Sequence, residues 1–227
     1  PVVSSLRSQI VPRANIAYAG TLCEIFSKTK PLTHMKIYII RHGESTSDVK
    51  EKYDGDYDDH LTDKGLKEAE MIAKKLLVSK IQIIFSSSKI RAIETSKILK
   101  NAFKCKMVVT EDMNEQDIYD AFPELSKNQP EEEYRRLGEI MANRAVKIKG
   151  VETYLHFKNR VVRCFLKIIN EDYQIVAIIT HGGPIRCIFR DILKMGEFKK
   201  IGNGAIIELE KNNFGFTITK IDGTILQ

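Results

Sequence analysis

The run Ile175-Val176-Ala177-Ile178-Ile179-Thr180 holds five apolar residues in succession with no polar residue between them. A strand reads this way when both of its faces are buried, which requires a sheet covered by helices on both sides. The rest of the chain supplies the parts for such a fold. Residues 35–40 (MKIYII) and 82–85 (QIIF) are further short apolar runs, and Lys106–Thr110 reads as another strand. Thr62 is placed to cap a helix whose apolar positions Leu66, Ala69, Ile72, Ala73 and Leu76 follow a helical period. Residues 89–99 form a helix bearing Arg91, and 153–169 a helix with Phe157, Val161, Cys164 and Ile168 on one side. Pro184 suits the first position of a helix carrying Ile185, Ile188, Phe189 and Ile192, which Gly196 can stop. Residues 205–210 and 214–221 pair around Asn212-Asn213. The order predicts an α/β three-layer sandwich with a mostly parallel central sheet and right-handed crossovers.

At 227 residues the chain fits one such domain. Residues 35–227 are read as that domain, and 1–34 as an N-terminal extension of different composition, rich in Ser and Arg with one acid, Glu24. The extension is read as an organelle-targeting peptide, a stretch upstream of a start at Met35, or a tail. The longest apolar runs are about six residues, far short of the ~20 a membrane-spanning helix needs, so no membrane partner is expected. The net charge is +6. Arg7, Arg13, Lys28 and Lys30 against Glu24 place +3 of it before Met35, and elsewhere lysines alternate with acids. That is a solvated surface rather than a basic stripe, and no nucleic acid is expected. Cys23, Cys105, Cys164 and Cys187 are far apart and the five histidines show no ligand spacing. Reduced thiols in a cytoplasmic protein, with no metal, are therefore expected.

Ligands of an open parallel sheet bind beyond the carboxyl ends of its strands. Here those ends carry Arg41-His42-Gly43-Glu44, Ser86-Ser87 with Arg91 one turn on, and Thr180-His181-Gly182. Two arginines and two histidines would converge there, and guanidinium forks match phosphoryl oxygens two at a time. The helix beginning near Gly183 would add backbone N–H groups.

These blocks, together with Leu61-Thr62, Gly65, Thr95, Glu115 and Gly183, occur in an order that resembles the histidine phosphatase (phosphoglycerate mutase-like) superfamily over about residues 35–210. The resemblance implies a phosphoglycerate mutase-like fold and a phosphatase that needs no cofactor and acts on a small phosphorylated metabolite. It implies that His42 attacks phosphorus and becomes a phosphohistidine, its other ring nitrogen donating to a backbone carbonyl. Arg41, Arg91, His181 and the Gly182 amide would hold the phosphoryl oxygens, and Glu115 would protonate the leaving oxygen and then activate water. A homodimer is left open. His34, His60 and His156 match no motif and read as surface residues.

Some positions depart from the family pattern. Asp48 stands where an Asn is common, Ser88-Lys89 where Pro-Leu is, Glu94 where Gln is, and Asp120 where Gly is. Asp48 would repel a phosphate, turn away onto Lys50 or Lys52, or stay protonated beside the ligand. A mutase-type isomerase and a non-catalytic phosphate-binding module are the alternatives. The 66 positions from Glu115 to His181 lack the long Arg- and Pro-rich insertion of the mutases, which favours the hydrolase. Residues 116–150 are expected to cap the site and set specificity, with Lys127, Arg135 and Arg136 read as surface charge in preference to contacts for a second anionic group.

Overall fold

The computed structural model describes residues 34–49, 59–116 and 151–226. The extension before His34 and the capping stretch, with Asp120, Lys127, Arg135 and Arg136, lie outside the described residues.

The most apolar run is β4 (Ile175–Thr180), and it sits in the interior of a six-stranded sheet of order β3-β2-β4-β1-β5-β6. Its neighbours β1 (Met35–Arg41) and β2 (Ile83–Ser87) run parallel to it, as β3 (Lys106–Thr110) does to β2. The long strands β5 (Phe198–Asn212) and β6 (Gly215–Leu226) add an antiparallel flank beside β1. Successive side chains of a strand point to opposite faces, and here both sets are buried. Ile37, Ile39, Val176 and Ile178 pack with Phe157, Val161, Phe165 and Ile168 of α4 (Tyr154–Ile168). Tyr38, Ile40, Ala177 and Ile179 pack on the opposite side, with Ala69, Ile72 and Ala73 of α2 (Asp63–Leu76) and Ala92 and Leu99 of α3 (Ile90–Phe103). The fold is the expected three-layer α/β sandwich. Each fully buried isoleucine contributes roughly 1.5–3 kcal/mol relative to an exposed one, so a register slip between β1 and β4 would forfeit several of them at once.

The helix caps follow the sequence. Thr62 accepts from Gly65 N, and Thr153 from His156 N. Other boundaries differ from the expectation. Leu66 is exposed, because Gly65 takes the inward position where the helix meets the Gly43-Glu44 backbone that follows β1. α5 (Gly182–Cys187) starts at Gly182, so Pro184 is its third residue. Proline costs nothing there, since the first four helical N–H groups have no partner within the helix. Beyond Cys187 the chain widens into a π-helical segment, Ile188–Leu193, that ends on Lys194 in the left-handed conformation, two residues before Gly196. β5 begins well before Ala205, because Gly202-Asn203-Gly204 forms a bulge rather than a break. Phe214 lies in the hairpin turn, fully exposed, rather than in β6.

Candidate active site

The sheet register builds the site. Arg41 pairs with Thr180, and Ser86 with Ile179, so the carboxyl ends of β1, β4 and β2 lie in one row. His42 N donates to Thr180 O at 3.1 Å, which carries the ladder one residue further and sets His42 beside His181. Their ring centroids are 4.9 Å apart and both side chains are buried. Glycine is required just after His42. A Cβ on Gly43 would stand 2.5 Å from Gly65 O, and one on Gly65 would stand 2.0 Å from Glu44 O. The two backbones interlock, and Gly43 N is held by Thr95 Oγ1 at 3.2 Å.

His42 Nδ1 lies 2.7 Å from Gly43 O, and Arg91 Nε donates to His42 Nε2 at 3.2 Å. Both contacts are satisfied only when the proton is on Nδ1 and a lone pair on Nε2. Burial first, then the Arg91 and Arg41 guanidinium groups, push the His42 pKa far below the usual imidazole value. The ring is neutral, as a nucleophile must be. His181 is lowered as well, by burial and then by His42, Arg91 and Arg41. Its Nε2 is 2.7 Å from Ser87 Oγ, while its buried Nδ1 has no partner.

Arg41 donates to Ile201 O at 2.7 Å and to Asp48 Oδ1 at 2.8 Å, leaving its buried Nε without a partner. Asp48, in the short helix α1 (Thr46–Val49), is thus paired with Arg41, an arrangement the sequence did not suggest; Lys50 and Lys52 lie outside the described residues. The other oxygen of Asp48 accepts from Ser45 N and Ser45 Oγ, both at 2.9 Å. Burial alone would raise its pKa, but the Ser45 amide and the Arg41 guanidinium outweigh that and hold the carboxyl below the usual range.

Glu115 follows the 3₁₀ turn Glu111–Met113 and reaches α5, where its Oε2 accepts from Gly183 N at 2.9 Å. One N–H of the helix start, that of Gly183, is therefore occupied by the candidate acid. Thr180 Oγ1 donates to Met113 O at 2.6 Å, tying this turn to the strand that bears His181. Asn114 Oδ1 accepts from Ser87 Oγ, Ser88 N and Ser88 Oγ at 2.6–3.1 Å. Ser88, a departure from the family pattern, thus braces the acid's neighbour. Glu94, another departure, binds Leu61 N and His60 instead of the site.

All six residues expected in the site, Arg41, His42, Arg91, Glu115, His181 and Gly182, are brought to this end of the sheet. His34, His60 and His156 are exposed, as expected. The sequence reading placed Ser87 at the end of the second strand, and the structure sets it against His181 and Asn114; the reading missed Asn114 as its partner. It also missed Arg160, whose helical setting gives no signal of its role. Among the described residues no group of three His, Cys, Asp or Glu is placed to hold a metal, and no helix is long and apolar enough to cross a membrane.

Comparison with known proteins bears on the same residues. The model of the histidine phosphatase superfamily, branch 1, matches residues 37–223. The 2,3-bisphosphoglycerate-dependent phosphoglycerate mutase of Thermoplasma acidophilum is 31% identical over 173 residues, spanning 74% of this chain and 82% of that protein. Phosphoserine phosphatase 1 of Hydrogenobacter thermophilus is 25% identical over 173 residues, spanning 70% and 76%. The solved structure of Bacillus stearothermophilus YhfR shares the fold, with a TM-score of 0.69 at 20% identity, over 84% of this chain and 98% of that one.

Proposed function

The chain belongs to the histidine phosphatase superfamily, branch 1, and from that premise we propose that it hydrolyses a small phosphomonoester through a phosphohistidine on His42. The observation that carries this reading is the locked tautomer of His42, whose Nε2 lone pair is presented to Arg91 inside a buried cationic pocket. In the first step Nε2 bonds to phosphorus while the bond to the ester oxygen breaks, and Glu115 gives that oxygen a proton. In the second, Glu115 takes a proton from water, the water oxygen bonds to phosphorus and the bond to Nε2 breaks. The products are an alcohol and inorganic phosphate. Arg41, Arg91, His181 and the Gly182 amide hold the phosphoryl oxygens as charge builds on them. Two arginines supply the positive charge, so the reaction is expected to proceed in the presence of a chelator.

A mutase reading has support from the 31% identical relative, which is a phosphoglycerate mutase. The short span from Glu115 to His181 favours the hydrolase. Purified protein should be incubated with a panel of phosphorylated metabolites, phosphoserine and phosphoglycerates included, with release of inorganic phosphate as readout. Brief labelling should give a protein phosphate that is labile in acid and stable in alkali, and absent from His42→Ala. Label that survives acid, or turnover retained by His42→Ala, would sink the proposal. Interconversion of phosphoglycerates without phosphate release would move the chain to the mutases.

A further inference from the structure

We infer that Arg160 of α4 is a positioning residue for the acid, fixing the backbone that presents Glu115 while Glu152 fixes Arg160. The inference rests on the reading of Glu115 as proton donor. In sequence Arg160 looks like one more exposed base among Lys158 and Arg163. In the structure its side chain is only 11% exposed, and all three guanidinium nitrogens are engaged. Nη1 donates to the carbonyls of Glu111, Asp112 and Asn114 at 3.3, 3.0 and 2.8 Å. Nη2 donates to Glu115 O at 2.9 Å and Glu152 Oε2 at 2.7 Å, and Nε to Glu152 Oε1 at 2.7 Å. The plane rests 4.9 Å from the centre of the Phe157 ring.

The remaining carbonyl of the segment, that of Met113, is bound by Thr180. Every backbone carbonyl from residue 111 to 115 is therefore held by a side chain from α4 or β4. The turn has one internal backbone bond, Asn114 N to Glu111 O at 2.9 Å, and follows β3, which lies at the edge of the sheet. Buried Met113 and the Asn114 side chain anchor it from the other side, so the carbonyl contacts of Arg160 and Thr180 fix the backbone between those anchors. A planar fork that binds a carboxylate on one edge and converging carbonyls on the other is a geometry only arginine supplies. Lysine brings the charge without the fork. Gln116 closes the arrangement by donating to Glu152 O at 2.8 Å. With the turn loosened, the carboxylate bound to Gly183 N would lose its fixed origin, and a misplacement of about 1 Å can cost on the order of 10²-fold in rate.

The test uses the full chain with Arg160→Lys, Arg160→Ala and Glu152→Gln. kcat/KM is measured on an alkyl phosphomonoester, whose leaving oxygen needs a proton, and on 4-nitrophenyl phosphate, whose leaving group departs as a stable phenolate. Arg160→Ala is expected to lose about 10²-fold on the alkyl ester and only a few-fold on the aryl ester. Arg160→Lys should rescue little. Glu152→Gln should show the same split more weakly, and it answers the question if Arg160→Ala does not fold. Glu115→Gln sets the reference split, and Glu115→Gln with Arg160→Ala should be no worse than Glu115→Gln alone. Equal losses on both esters, full alkyl activity, or additive losses overturn the positioning role while the reference split upholds Glu115 as the acid. Absence of a split in Glu115→Gln overturns the acid assignment, and the inference with it.

Discussion

Gly183→Ala separates activity from stability in this site. A Cβ on Gly183 would lie 1.9 Å from Glu115 Oε1 and 2.9 Å from its Cδ, against 3.4 Å or more for ordinary contact. The carboxylate must retreat by about 1.5 Å, and it is the far end of a flexible side chain, so the backbone has no need to move. The retreat also strains or breaks its 2.9 Å bond with Gly183 N. A displacement of that size at a proton donor costs on the order of 10²-fold, or about 2.7 kcal/mol of transition-state stabilisation. Stability moves the other way. Gly183 sits in the first turn of α5 with an ordinary negative φ, where alanine is a better helix former by up to ~1 kcal/mol. The variant should therefore melt at or slightly above the wild-type temperature while kcat/KM on an alkyl phosphomonoester falls about 10²-fold. Thermal melting followed by circular dichroism and initial-rate phosphate release measure the two quantities. Wild-type turnover in the alanine variant would refute the placement of Glu115 over Gly183. A lowered melting temperature would refute the claim that only the side chain yields.

Asp48→Asn removes the carboxylate that shares Arg41 with any bound phosphate. It should tighten inhibition by inorganic phosphate at least several-fold, because one like charge about 5–7 Å away is worth ~2–3 kcal/mol at an effective dielectric of 20 before solvent screening. An unchanged inhibition constant from pH 5 to 8 would place the charge of Asp48 wholly on Arg41. Acid should also weaken the fold. His42 and His181 have folded pKa values below the unfolded value, so the unfolded chain binds more protons and stability falls as pH drops below about 6.5, by up to ~1.4 kcal/mol per pH unit for each histidine. Urea titrations at pH 7.5 and 5.5 measure this, and equal midpoints would contradict the buried neutral pair.

The layers were legible because they rest on periodicity and caps, which are local. The run at β4 announced a strand buried on both faces, Thr62 announced the start of its helix, and the apolar spacing of Phe157, Val161, Cys164 and Ile168 announced another. The convergence of Arg41, His42, Arg91 and His181 was legible too, since parallel strands deliver their carboxyl ends to one side. What sequence could not carry were pairings made through backbone groups or across a turn. Asp48 looked closer to Lys50 and Lys52 than to Arg41, but the turn at Ser45 folds it back onto the arginine. The partners of Arg160 are mostly carbonyls, which every residue possesses, so no residue type marks them. The bulge at Gly202-Asn203-Gly204 reads as a break because it has the composition of a loop, yet Gly204 N donates to His42 O at 3.0 Å and keeps β5 against the site.

The charge arrangement explains how one pocket can hold both a nucleophile and an anion. The groups that face the two imidazoles are mostly cationic, and Asp48 is turned to Arg41 and Ser45. Burial first and then the guanidinium groups keep His42 neutral, and the Arg91 Nε–H rests on the lone pair that would attack in the proposed reaction. An incoming phosphoryl oxygen is a far better acceptor for that N–H than an imidazole nitrogen, because its bond is charge-assisted. In the proposed reaction Arg91 would therefore exchange one acceptor for the other, releasing the lone pair as phosphorus arrives. In the proposed intermediate, with Nε2 bonded to phosphorus, the ring would carry positive charge with Nδ1 protonated, and Gly43 O, 2.7 Å away, would continue to accept from it. The phosphoryl charge would meanwhile offset the arginine field that adds to burial in lowering the His42 pKa. The same two arginines would thus reinforce burial in keeping the imidazole neutral before binding, and lose that influence once the ring has to become a cation.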